Sequence, residues 1–182
     1  MSLPPGRWIG RPVRRTEDPR FIRGRATYVA DLILPQMLHA AVERSPHAHA
    51  RLIGVSTSSA QRVPGVVEVI TAADIEDRLH PLPANAVEGA VVASIGHPPL
   101  ATDRVRYVGQ PVAVVIASSA AAAHDAAAAL DVEYDVLPAL LDPREAARGE
   151  VRLHESLPDN VLVRWSRRGG DPDEAFRSAA CV

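Results

Sequence analysis

The chain has 182 residues, which is enough for one domain with or without an extended arm. Hydrophobic residues make up 47% of it, so it can build a core. Its formal net charge of -2 gives no global field that would attract nucleic acid or an anionic membrane.

Cysteine content and hydropathy exclude several further classes of protein. A single cysteine, Cys181, excludes a disulfide within the chain and a zinc site built on cysteines. Residues 1–8 lack the apolar core of a secretory signal, and the apolar runs at 112–117 and 120–123 are too short to span a bilayer. These features predict a soluble cytoplasmic protein without a membrane span.

The N-terminal region is rich in Pro, Gly and Arg and shows no hydrophobic period, so we assign residues 1–35 to an extended arm. Seven of the chain's arginines lie in it: Arg7, Arg11, Arg14, Arg15, Arg20, Arg23 and Arg25. With Trp8 and Phe21 they allow a nucleic-acid hypothesis, but Glu17 and Asp18 interrupt the charge and the remaining chain is acidic. We prefer an arm that docks on other domains or subunits, where arginine pairs well with carboxylates.

The next segments predict strands and short helices. Apolar residues alternate with others along 36–44, which is typical of a half-buried strand. The alternating positions are Leu38, Ala40 and Val42. A second strand follows at 51–55, a short helix with a capping box at 58–61, and a β-branched strand at 66–70.

A helical turn at 71–74 precedes a Pro- and Gly-containing stretch, 76–103, which we expect to be a long surface excursion. Two strands, 104–107 and 112–117, then flank a turn in which Gly109 supplies a positive φ. The second of these strands is apolar at nearly every position, which predicts a central strand buried on both faces.

An alanine-rich helix at 119–130, capped by Ser118, leads to an alternating strand at 132–136. If the two flanking strands are parallel, they form a β-α-β crossover. Two later helices should begin at Asp142 and Asp171, each followed by Pro and Glu. The sequence thus predicts an α+β fold with a mixed sheet and a few short helices.

Seven ordered segments resemble the large subunits of xanthine dehydrogenase, aldehyde oxidase and carbon monoxide dehydrogenase-like molybdenum hydroxylases. The resemblance runs from about residue 10 to the end of the chain, and no single motif carries it. The segments are 10–18, 24–31, 38–51, 63–66, 103–113, 132–139 and 154–161.

This resemblance implies the N-terminal α/β hammerhead domain, over residues 36–150, with 151–182 as a connection toward a molybdopterin-binding domain that is missing here. It implies that the full enzyme oxidises an aldehyde, a purine or other heterocycle, or carbon monoxide. The cofactors implied are molybdenum-molybdopterin (cytosine dinucleotide), with 2Fe-2S and FAD in other domains or subunits. The implied partners are the rest of the large subunit and the iron-sulfur and flavin subunits.

The chain departs from the family pattern in one respect. The glycine-rich cofactor loops, and the late segment that carries the family's catalytic Glu, are absent from these residues. No catalytic, cofactor-binding or metal-binding residue is therefore assigned, and the isolated chain is expected to be inactive. We also expect an exposed apolar patch where the missing domains would pack.

Several residues could carry chemistry, but each also has a structural explanation. His47 and His49 could share a strand face, with His39 nearby, but Pro46 favours a strand edge and a metal needs more ligands. Gln110 is better explained by the turn than by a ligand. The remaining candidates lack partners in sequence or fit capping and solvation: Cys181, the His154-Glu155 pair, Glu17 with Asp18, and Asp171 with Asp173.

Two hypotheses of different classes remain. The first is a structural domain of a molybdenum hydroxylase, active only when the other domains and electron-transfer subunits are supplied. The second is a stand-alone hammerhead interaction module without redox activity. Binding to the cofactor-carrying remainder separates them, because fold alone does not determine function.

Overall fold

A computed structural model describes residues 10, 12–80, 82, 90–93, 95–167 and 169–180. The chain divides into two units, residues 1–37 and 38–182. The described part of the first unit holds one short helix, α1 (Asp18–Ile22), and a 3-10 turn at Val29–Asp31. The rings of Phe21 and Tyr28 stack at 5.6 Å, yet no described residue of this unit is buried.

The second unit contains the sheets and the remaining helices. Its strands are β1 (His39–Arg44), β2 (Ala50–Ser56), β3 (Val66–Thr71), β4 (Val91–Val92), β5 (Arg104–Val105), β6 (Pro111–Ala117), β7 (Asp131–Val136) and β8 (Val163–Arg164). Its helices are α2 (Ser58–Gln61), α3 (Ala72–Ile75), α4 (Ala120–Ala128), α5 (Pro143–Ala146) and α6 (Pro172–Ser178). In the described parts of the chain, no helix has the length and apolar character needed to cross a membrane.

Within the described residues the strands form three small sheets with the orders β1-β6-β3, β5-β2-β7 and β4-β8, and each of their ladders is antiparallel. The α+β class is therefore confirmed. The expected parallel β-α-β crossover is wrong, because β6 and β7 belong to different sheets. Helix α4 instead carries the chain from the first sheet to the second.

Strand β6 is the centre of the first sheet, as its uninterrupted apolar sequence predicts. Val115 and Ala117 are fully buried in a cluster with the alanines of α4, whereas Val112 is buried in a second cluster with Ala50 and Val105. One strand thus supplies both cores.

The composition of α4 explains how closely it packs. Ala123, Ala126 and Ala127 are buried against the first sheet, where methyl side chains allow a short distance between helix and strands. The helix begins one residue later than expected: the hydroxyl of Ser119, and not that of Ser118, accepts a hydrogen bond from the amide of Ala122.

Strand β1 presents the opposite face from the one its alternation suggested. Ala41 is buried in the α4 cluster, while Leu38, Ala40 and Val42 lie on the exposed side. Alternation predicts a strand with two different faces, but it does not identify which face meets the core.

The N-termini of the helices agree in part with the capping residues predicted from the sequence. Asp142 and Asp171 each accept a backbone amide hydrogen bond at the start of α5 and α6, as predicted. The capping box expected at 58–61 is absent, since Thr57 precedes α2 without a side-chain cap. A capping box is present at Thr71, whose amide and hydroxyl both donate to Asp74.

The predicted excursion 76–103 lies partly outside the described residues. Its described part contains β4, which pairs with β8, and a bridge between Leu82 and His97. The strand expected at 104–107 is limited to Arg104–Val105, because the chain turns from Tyr107 toward Gly109.

Gly65 joins α2 to β3 and provides a test of the packing between β3 and α4. Its φ is +92°, and a Cβ there would lie 2.9 Å from Ser118 Oγ. Gly65→Ala should therefore lower the free energy of unfolding by about 1 to 2 kcal/mol, as measured by urea unfolding.

Gly54→Ala is the matched control. Gly54 does not have a positive φ, and a Cβ added there would have no neighbouring atom within 4 Å. Its effect should stay within about 0.5 kcal/mol. Equal stability of the two variants would contradict the packing described for Gly65.

Candidate functional site

Two turns of the chain meet at one corner of the second unit. We call this the polar corner and define it by Arg44, Ser45, His47, His49, Gly109, Gln110 and Tyr134. The amide of Ser45 donates to the Gln110 carbonyl at 2.9 Å, and the amide of Gly109 donates to the Ser45 carbonyl at 2.8 Å. The Arg44 guanidinium also donates to the Gly109 carbonyl at 2.9 Å. These bonds join segments that are 65 residues apart.

Gly109 and Gln110 shape the turn that enters β6. Gly109 has a φ of +85°, which agrees with the predicted positive value. Gln110 is buried, and its side-chain oxygen accepts a hydrogen bond from the amide of Arg106 at 2.7 Å. The amide side chain thus closes the turn through its oxygen.

The histidines of the corner take packing positions. His49 is buried, and its Nδ1 lies 2.9 Å from the carbonyl oxygen of Pro138, so Nδ1 carries the proton. His47 contacts the ring of Tyr134 edge-on, with centroids 4.9 Å apart. His39 lies on β1, and the described residues contain no group of three or more His, Cys, Asp or Glu arranged to hold a metal ion.

Burial changes the pKa of one residue of the polar corner, Tyr134, and of the neighbouring Glu43. Desolvation raises the pKa of the Glu43 carboxyl and raises that of the Tyr134 phenol. Tyr134 therefore stays protonated at neutral pH, which suits a hydrogen-bond donor and not a general base.

A cavity of about 430 Å³ adjoins the corner and is lined by His97, Arg106, Gln110 and His154 among apolar residues. The Arg106 guanidinium is held by the chain itself: Nε donates to the Leu153 carbonyl at 2.8 Å. Its remaining nitrogens face the Arg104 carbonyl and Asp103. Arg106 thus fastens the C-terminal segment while it also lines the cavity.

His154 and Glu155 lie in an irregular, turning segment and not on a helix. Glu155 pairs with Arg104 at 2.6 Å. Positive charge on Arg106 and His97 adds to burial in keeping the pKa of His154 low.

Asn160 is a structural residue that the sequence analysis did not single out. Its amide group donates to the carbonyls of Ala146 and Val151, and its oxygen accepts from the amide of Leu153 at 2.8 Å. One side chain therefore ties residues 151–160 to the end of α5. In the sequence, the signal for this role was an asparagine within a Pro-containing turn segment.

The other described candidates lie in or beside helices α1 and α6. Asp171 caps α6, while Asp18 lies in the first turn of α1 and pairs with Arg15 at 3.6 Å. Arg20 lies 5.6 Å from the Phe21 ring centroid. The remaining named candidates, Arg7, Trp8, Arg11 and Cys181, lie outside the described residues.

The second unit is an antiparallel α+β unit in which several polar side chains bind its own backbone. The family model described as "Aldehyde oxidase and xanthine dehydrogenase, a/b hammerhead domain" matches residues 23–138. The chain belongs to this hammerhead family.

The relatives are much longer proteins. The nicotine 6-hydroxylase large subunit of Paenarthrobacter nicotinovorans is 44% identical over 96% of this chain and 21% of its own length. Quinoline 2-oxidoreductase from Pseudomonas putida 86 aligns over 92% of this chain and 21% of its own, with 43% identity and a TM-score of 0.77. A Cu,Mo-CO dehydrogenase aligns over 79% and 17%, with 39% identity and a TM-score of 0.66.

The chain thus spans about a fifth of the length of these relatives. It corresponds to the hammerhead part of molybdenum hydroxylase large subunits, and the recognition made from the seven sequence segments is confirmed.

The surroundings of His154 predict a pH dependence of stability. Its folded-state pKa lies below the ordinary value of 6.5, so the unfolded chain binds the proton more readily. The contribution of His154 is complete above pH 6.5 and is lost as the pH falls below that value. Urea unfolding at about pH 8 and about pH 5 should show this loss, and His154→Gln should reduce it.

His80→Gln removes an exposed imidazole and serves as the matched control, which should keep the loss. If His154→Gln behaves like His80→Gln, then His154 does not contribute to the pH dependence in the way its environment indicates.

Proposed function

We propose that the chain is the N-terminal structural domain of the large subunit of a molybdenum-dependent hydroxylase and contributes no reacting group. In this proposal the complete enzyme oxidises an aldehyde, a purine or other heterocycle, or carbon monoxide. The observation that carries the proposal is the use of the polar side chains: Gln110, Arg106, Asn160 and His49 each bind the chain's own backbone.

The described residues do not fit a molybdopterin. A cofactor with phosphate groups needs free cations or a cradle of amides. The Arg104 and Arg106 side chains are 12% and 19% exposed, and their guanidinium nitrogens contact Glu155, Asp103 and backbone carbonyls. We therefore place the molybdopterin (cytosine dinucleotide) in the rest of the large subunit, and 2Fe-2S and FAD in other domains or subunits.

We propose that three consecutive segments of the chain have different roles. Residues 1–35 are a docking arm, 36–150 the hammerhead domain, and 151–182 the connection toward the cofactor-binding part. Support for the arm comes from its exposed apolar residues, since Ile22, Val29 and Ile33 are 84–86% exposed. Because none of the described residues of this arm is buried, we propose that packing on another domain, or on the iron-sulfur or flavin subunit, stabilises it.

The alternative, a stand-alone interaction module, is favoured by the two separate cores of the second unit, which make it self-contained. Purification tests the absence of a cofactor and of turnover, which both hypotheses predict. The isolated chain should contain no stoichiometric molybdenum, iron or flavin, as measured by elemental analysis and an absorbance spectrum. Stoichiometric cofactor, or turnover of an aldehyde or purine by this chain alone, would contradict the proposal.

Assembly provides the positive test. The probe is the nicotine 6-hydroxylase large subunit lacking the stretch that this chain matches, which we call the truncated relative. Co-expression should give a complex of this chain with the truncated relative, and molybdenum should be found in the complex. The relative's own matched stretch, supplied separately, is the control that the truncated relative can bind.

A further inference from the structure

We infer that one face of the first sheet is the docking surface for the rest of the large subunit, an inference that rests on the proposed function. This open face is the side of β1, β6 and β3 that points away from α4. It consists of Leu38, Ala40, Val42, Glu68, Ile70, Val114 and Ile116.

Strand register makes these residues one continuous patch. Residues directly opposed in antiparallel strands share a face of the sheet. The opposed pairs are Ala40 with Ile116, Val42 with Val114, Glu68 with Ile116, and Ile70 with Val114. Leu38 extends the β1 row by two residues, so six of the seven positions are apolar.

The opposite side of the same sheet is already filled. Ala41, Val69 and Val115 are buried there with the alanines of α4 and with Ala60 of α2. Each is the sequence neighbour of a residue on the open face, as the two-residue period of a strand requires. The helices that pack on the sheet therefore stabilise only this side.

The open face belongs to neither core. Val112 begins the same row on β6 and is buried in the second cluster, but Val114 and Ile116 contribute to neither cluster and are only partly buried. Along β1 the exposure is larger, with Leu38 at 50% and Val42 at 38%. Contiguous apolar surface of this kind marks an interaction site.

The occupant we assign is the polypeptide that makes up the other four fifths of the relatives, because these relatives carry the matched segment within one longer chain. Its contacting surface should be apolar with one arginine or lysine opposite Glu68. A carboxylate that becomes buried in an apolar interface needs such a partner.

Val42→Lys tests the surface against the truncated relative defined above. An unpaired ammonium in the interface should weaken binding by about tenfold or more, measured by sedimentation or titration calorimetry. Stability of the free chain should stay close to wild type, because the Val42 side chain is already partly in solvent. Leu141→Lys is the control at an apolar residue that is 87% exposed and lies outside the open face.

Glu68→Lys is the second variant, and it should weaken binding more than Glu68→Gln because it repels the expected cation. Equal binding by wild type, Val42→Lys and Glu68→Lys would overturn the inference and leave the proposed function standing. Failure of wild type to bind, when the relative's own stretch does bind, would overturn the proposed function itself. A third outcome concerns self-association of the free chain. If the chain forms a dimer that Val42→Lys disrupts and that the truncated relative does not disrupt, the occupant of the open face is a second copy. That result would contradict the inference.

Discussion

The packing of β6 into two hydrophobic cores is the interaction on which the rest of the second unit depends. Val115 packs against α4, and Val112 packs in the cluster that contains residues of the second sheet. Both edges of the strand are also paired, with β1 and with β3. Because one strand joins two cores, the turn that precedes it has to be fixed, and Gln110 and Gly109 do so from within the polar corner.

The sequence predicted the parts of this arrangement that local chemistry determines. The apolar run of β6, the alanine helix α4 and the caps at Asp142 and Asp171 follow from propensity and hydrogen-bonding capacity. The sheet to which β7 belongs cannot be predicted in this way, because strand pairing depends on contacts between residues distant in sequence. For the same reason the alternation in β1 left its buried face undetermined.

The polar corner shows why the candidate site could be predicted only in part. Sequence placed the histidines at a strand edge and Gln110 at a turn, and the structure gives them backbone partners and aromatic contacts. The partners themselves, such as Pro138 for His49, lie 89 residues away and were not apparent. Asn160 was missed because its three hydrogen bonds depend on the tertiary position of the connection.

We propose that this member of the hammerhead family is a scaffold whose exposed apolar surfaces pack within a larger assembly. The most direct measurement is a high-resolution structure of an assembled large subunit that contains it. We expect Val42 and Ile116 to be buried under another domain and every ligand of the molybdenum centre to come from elsewhere. An open face in solvent, or a side chain of this chain bonded to the metal or its cofactor, would contradict this proposal.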